Sequence, residues 1–367
     1  MSSAVPDPRK LYFVSPAVDF VLMGGLSLAC FPLLLRLQDG GLPSTAVSSL
    51  VIGFWWIANW PHFSATNYRL YHSRGNIAQY PVTALAVPLL VLAATVAAFA
   101  SPAVVAPFFI KLVVIWSVYH FAGQTLGLTM IYARRAGLAV GNVERWGLLT
   151  FLLGTFLARV AWNEVGTGSA EYFGVAHPRL GVPEWLGSVL VSCALAGGVV
   201  FVIGLFRGAS RAGRSVPAIV LLPAICHFVW FVPGRGIEYF YAFVPLFHSF
   251  QYLLIAWSMQ LKERMDLGGH QPSKSFALRE TARWFALNVL GGAFLFFALP
   301  TLAELTGASS TFSFAVVATA VQLHHFFVDG VIWKLKNPKV SSPLSVHVPE
   351  LITPRPRPSA QPLTEAA

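Results

Sequence analysis

Apolar runs long enough to cross a bilayer dominate this chain and leave few other folds open to it. Ten follow one another, at roughly 17–37, 46–66, 79–100, 103–131, 143–162, 185–206, 216–233, 237–260, 281–302 and 312–333. A span needs about 20 apolar residues at 1.5 Å rise each. Charged residues make up 11% of the 367, against about a quarter in soluble proteins. So few charges cannot cover a water-facing surface. The expected fold is all-α: a polytopic membrane helical bundle of about ten transmembrane helices, forming one domain over residues 1–336.

The loop charges set an orientation. With a cytoplasmic N-terminus and ten spans, 20 of the 25 basic residues face inside, among them Arg69, Arg134, Arg135, Arg214, Lys262 and Lys334. Only Arg36, Arg159, Arg179 and Arg235 face outside, and Lys111 lies within a span, where it is expected to snorkel or to line a polar cavity. One missed span would reverse every later loop, so this split supports both termini on the cytoplasmic side. The net charge of +10 therefore points to cytoplasmic loops beside a lipid bilayer, not to nucleic acid. The localisation that follows is integral membrane, multipass, and in a bacterium the inner membrane. Residues 337–367 hold seven prolines and scattered serines, and read as a disordered cytoplasmic tail. Cys30, Cys193 and Cys226 each sit inside an apolar run without a metal-binding spacing, and read as packing residues. No Walker, GxGxxG or GxSxG motif is present, which argues against ATP-driven transport and common hydrolase chemistry.

The polar residues inside the spans carry the functional signal. Near the chain's end, "LHHFFVDGVIW" places His324, His325 and Asp329 where a lipid-embedded helix favours leucine. His62, His120, His227 and His248 lie in the second, fourth, seventh and eighth runs. Distances along the helices to the nearest inner cation put these histidines roughly 10–21 Å from the inner rim, so most can share one layer. Ionisable groups at that depth are costly and are functional candidates. Polar companions follow at helical spacing: Asn59 before His62, Gln124 after His120, Gln251 and Tyr252 after His248, and Asp329 after His325. Such groups suit the outer hydrogen bonds of metal-bound imidazoles. An imidazole set without thiolates suits iron, zinc or copper, whereas calcium and magnesium prefer oxygen.

Four short motifs stand in one order: "PHFSAT" (61–66), "HFAGQT" (120–125), "HSFQYLLIAW" (248–257) and "HHFFVD" (324–329). In that order the chain resembles the Brp/Blh-type β-carotene-cleaving dioxygenases, membrane-embedded enzymes with histidine-ligated non-haem iron. The resemblance covers about 30 residues. Tyr252 stands where the family has a second histidine, so His325 beside His324 is a candidate replacement. The resemblance implies His62, His120 and His248 as iron ligands, completed by His324 or His325, with O2 and a lipid-soluble substrate, a carotenoid or another isoprenoid or lipid. Position alone adds His227. Two other readings stay open: a multipass transporter or proton-coupled carrier with a buried histidine relay, and a bis-histidine haem protein.

Overall fold

The computed structural model describes residues 8–41, 43–333 and 343–353. Every expected run is helical. In chain order the helices are α1 (Pro16–Asp39), α2 (44–71), α3 (Val82–Ala100), α4 (Val105–Arg135), α5 (Asn142–Asn163), α6 (Trp185–Arg211), α7 (Ala218–Phe231), α8 (Glu238–Gly268), α9 (Lys274–Thr306) and α10 (Ser310–Ile332). Eight are long and apolar enough to cross a membrane; α2 and α5 are the exceptions. The helical backbone satisfies its own amides and carbonyls, which a lipid environment demands. Local signals place the ends: Ser15 caps α1 by accepting from Val18 N, Ser309 caps α10 by accepting from Phe312 N, and Gly269 closes α8 in the left-handed region.

Helices α2, α4, α8 and α10 surround the centre, and α9 packs on α2. Outside them, α5 and α6 lie against each other so closely that a Cβ on Gly147 would fall 2.8 Å from the Gly197 carbonyl oxygen. Small residues permit such contacts in membranes. Leu89, Leu90 and Val199 stay exposed on α3 and α6, as lipid-facing residues do. Five-residue π-turns interrupt three helices, at Val21–Gly25, Trp55–Asn59 and Phe294–Ala298, and a fourth opens α3 at Val82–Ala86.

Three features depart from expectation. The loop after α5 carries a two-stranded antiparallel hairpin, β1 (Ser169–Tyr172) and β2 (Val175–Pro178), turning at Phe173 and Gly174 with φ of 47° and 74°. Two successive positive φ values match the right-handed twist of a hairpin. Its second strand buries His177, which is 4% exposed. Burial pushes this imidazole below the usual histidine range; Lys111 pushes the same way and Glu164 opposes it. The folded state thus binds fewer protons than the unfolded chain. Stability from the neutral ring is complete above about pH 6.5 and declines as pH falls through the lowered folded value. A His177→Asn variant should flatten the acid side of a melting-temperature profile; an unchanged slope would remove His177 as the cause.

The second departure concerns the tail. Residues 343–353 are ordered, with a short helix at Val348–Ile352 and with Leu344, Val346, Val348 and Leu351 buried. Arg135, at the end of α4, donates to the carbonyls of Leu11, Tyr12, Leu344 and Val346. Val348 N donates to Phe13 O, and Ser273 N to Leu351 O. Disorder is therefore not the state of this stretch, because apolar side chains alternate through it and bury themselves. The remaining expected tail lies outside the described residues. Lys111 departs too: it is 5% exposed and ion-paired with Glu164 at 2.5 Å, instead of snorkelling.

Candidate metal centre

Four imidazoles from four helices converge at the centre. His62 comes from α2, His120 from α4, His248 from α8 and His325 from α10, and none is more than 7% exposed. His120 Nε2 lies 2.9 Å from His248 Nε2 and 3.3 Å from His325 Nε2. The His62 ring centroid is 4.6 Å from that of His325 and 5.2 Å from that of His248. Asp329 completes the group, with Oδ2 3.4 Å from His325 Nε2 and 3.8 Å from His120 Nδ1. One atom from each of His62, His120, His325 and Asp329 lies within 4.8 Å of the others, so this set can hold a metal ion.

The chemistry of the contacts supports a cation. A neutral imidazole offers one N–H and one lone pair. His120 Nε2 faces two other Nε2 atoms, and a single proton can bridge only one of those contacts. The other contact is then left to two N–H donors sharing one lone pair or to like groups facing each other, and a positive ion among the nitrogens relieves either arrangement. His62 Nε2 is buried without a hydrogen-bond partner and is free to face such an ion, whereas the unpartnered Nδ1 atoms of His248 and His325 lie across their rings from the clustered Nε2 atoms. Nitrogen donors about 2.0–2.1 Å from one metal sit about 2.8–3.0 Å apart in an octahedral and about 3.3–3.4 Å apart in a tetrahedral arrangement. The 2.9 and 3.3 Å separations lie at or near those ranges.

Two of the sequence-predicted histidines are not brought here. His324 turns away, since neighbouring helical residues point about 100° apart; its Nε2 lies 3.1 Å from Tyr71 OH. His227 on α7 has both nitrogens engaged, Nε2 with the Leu152 carbonyl at 2.9 Å and Nδ1 with Thr125 Oγ1 at 3.3 Å. It is a packing histidine between α4, α5 and α7.

The supporting residues divide likewise. Asn59 Nδ2 donates to Ser249 Oγ, which is 3.1 Å from His62 Nδ1, so Asn59 orients His62 through Ser249. Thr66 Oγ1 lies 2.6 Å from Tyr252 OH and 3.2 Å from Asp329 Oδ1, and Trp333 Nε1 donates to the same Asp329 oxygen. Tyr252 therefore reaches Asp329 through Thr66, while its ring lies 4.3 Å from that of His62. Gln124 and Gln251 serve the backbone: Gln124 donates to the His248 carbonyl, and Gln251 to the Met23 carbonyl beside the kink at Gly24. Sequence reasoning missed Ser249, Thr66 and Trp333. The signal was present, because Ser249 adjoins His248, and Thr66 and Trp333 each follow a site residue by four.

Helix α9 presses on α2 at this point. A Cβ on Gly292 would lie 2.7 Å from the Trp60 carbonyl carbon and 2.9 Å from Pro61 N, directly before His62. Gly292→Val should therefore displace His62 and cost about 1–3 kcal/mol, as overpacking does. Thermal melting and metal content measured together test this; a variant unchanged in both would show that α9 does not fix His62.

His62, His120 and His248 also line a cavity of about 670 Å3. Its walls are largely aromatic, including Trp60, Phe63, Phe121, Phe296 and Phe326, and the hairpin residues Tyr172 and Phe173 line it as well. Phe173 packs edge-on against Trp55 of α2 and Phe314 of α10, and Tyr172 OH donates to Gln322, one turn before His325. Comparison with known protein families, with characterised proteins and with solved structures gives no match for this chain.

Proposed function

We propose that the chain is an integral-membrane, metal-dependent oxygenase, with iron its preferred ion, acting on a lipid-soluble substrate with O2. The observation that carries this reading is the meeting of four imidazoles and one carboxylate beside a largely aromatic cavity. Nitrogen and carboxylate donors without thiolate favour a transition metal over calcium or magnesium. The ion would be held by His62, His120, His325 and Asp329, with His248 beside His120 as a further donor. Once bound, it supplies Lewis-acid and redox chemistry. The protein's own part is to orient His62 through Ser249, to keep Asp329 beside His120 and His325, and to offer aromatic wall to an apolar chain. The four motifs shared with the Brp/Blh-type dioxygenases support the same class and suggest an isoprenoid or carotenoid chain. Haem is less well supported: two axial imidazoles need their nitrogens about 4 Å apart across a macrocycle, and the 2.9 Å between His120 and His248 leaves no room for one.

We read the bundle as ten-pass, with α2 and α5 crossing as well. Both termini then face the cytoplasm, together with 20 of the 25 basic residues. Iron-loaded protein mixed with membrane-lipid extract under 18O2 should yield labelled apolar products. Fully loaded protein that labels nothing would reject the oxygenase, and pH-driven uptake by proteoliposomes would establish a carrier in its place.

A further inference from the structure

The histidines occupy one part of the cavity wall; two arginines occupy another. Arg159, near the end of α5, and Arg179, just after β2, both line the cavity. Arg159 Nη1 donates to Asn163 Oδ1 at 2.6 Å and its guanidinium lies 4.5 Å from the centre of the Tyr241 ring. Its Nε is buried without a partner. Arg179 Nη1 donates only to the Val165 carbonyl, at 3.2 Å. Among the described residues, no carboxylate lies within ion-pair distance of either guanidinium. Two acids share the lining. Glu164 is already engaged, Oε1 by Lys111 and Oε2 by Leu180 N, and Glu171 is exposed.

A guanidinium carries five N–H donors in a planar fork suited to carboxylate or phosphate. Arg159 is half-buried, and holding its unpartnered Nε against an aromatic wall costs free energy that an anionic ligand would return, while the exposed Arg179 offers a second fork on the same cavity lining. We propose that the cavity binds an amphiphile with one anionic head group, carboxylate or phosphate, gripped by Arg159 and Arg179 while its apolar chain runs along the aromatic wall toward the histidines. A volume of about 670 Å3 falls in the range of small-molecule sites, about 300–1,000 Å3. The inference rests on reading this cavity as the substrate site, and it narrows the substrate class from any apolar lipid to one with a charged end.

The test uses the full chain in nanodiscs of zwitterionic phosphatidylcholine, with radiolabelled hexadecanoate, hexadecyl phosphate and hexadecanol as probes. At least one anion should bind tenfold or more tightly than hexadecanol, and the stronger of the two identifies the head group. Arg159→Gln should weaken anion binding about tenfold and leave hexadecanol binding unchanged. Arg159→Lys, which keeps the charge and loses the fork, should fall between, and it stands in if the glutamine variant does not fold. Equal affinity for all three probes, binding of none, or anion affinity indifferent to Arg159 overturns the proposal. Iron content of the same samples reports on the metal centre separately, so either idea can fail alone.

Discussion

Replacing His120 with alanine is expected to abolish metal binding at the candidate centre. Its Nε2 is the hub of the cluster, within 3.3 Å of two other imidazole nitrogens, and its Nδ1 approaches Asp329. Removing the ring takes away a donor and frees the Asp329 carboxylate on that side. Loss of an outer hydrogen bond alone costs a metal site about 10–100-fold in affinity, so loss of a ligand should exceed that. Elemental analysis of purified protein should show the content per chain falling at least tenfold for His120→Ala and for His325→Ala. His324→Ala and His227→Ala are the matched controls, because those rings bond elsewhere, and they should keep the wild-type content. Full retention in His120→Ala would mean that any bound metal sits at another place.

The second large effect concerns stability. Lys111 and Glu164 form an ion pair at 2.5 Å between α4 and the end of α5, at 5% and 2% exposure. Glu164 also accepts from Leu180 N and so ties down the connection after the hairpin. Breaking a buried pair by removing one partner costs about 3–5 kcal/mol, because the survivor stays charged and dry. Lys111→Met should therefore lower the melting temperature sharply, while Lys111→Met combined with Glu164→Gln should recover most of the loss. The glutamine amide oxygen can still accept from Leu180 N and brings no charge. A double variant as unstable as the single one would show that the carboxylate is not what makes the lysine necessary.

The helices were legible because lipid leaves a chain little choice: an apolar run of that length must satisfy its own backbone. The set of helices bearing the site was legible for the opposite reason, since imidazoles at that depth are costly. Which face each histidine uses was not. In α10 the residues are apolar almost all round, so no amphipathic stripe says whether His324 or His325 points inward; packing against α2 and α4 decides. His227 looked equivalent to His248 because its partner, the Leu152 carbonyl, comes from another helix 75 positions away. The hairpin lacks the Asn-Gly or Asp-Gly turn that would mark it, having Phe173 and Gly174 instead. The packed segment 343–353 hid behind its prolines; its buried apolar side chains and the Arg135 bonds to the Leu344 and Val346 carbonyls hold it in place.

That arginine has a bearing on biosynthesis. Two of the four carbonyls it holds precede α1 and two follow α10, so the first and last described stretches of the chain are buttoned to the same side chain. The candidate metal ligands are likewise spread from position 62 to 329. Neither the clasp nor the candidate ligand set exists until α10 and the segment after it have been made, and an insertion intermediate lacking α10 must carry three half-matched histidines and an unclasped arginine through the translocon. Premature termination a few residues short of 343 would leave every ligand in place yet deny the bundle its fastening.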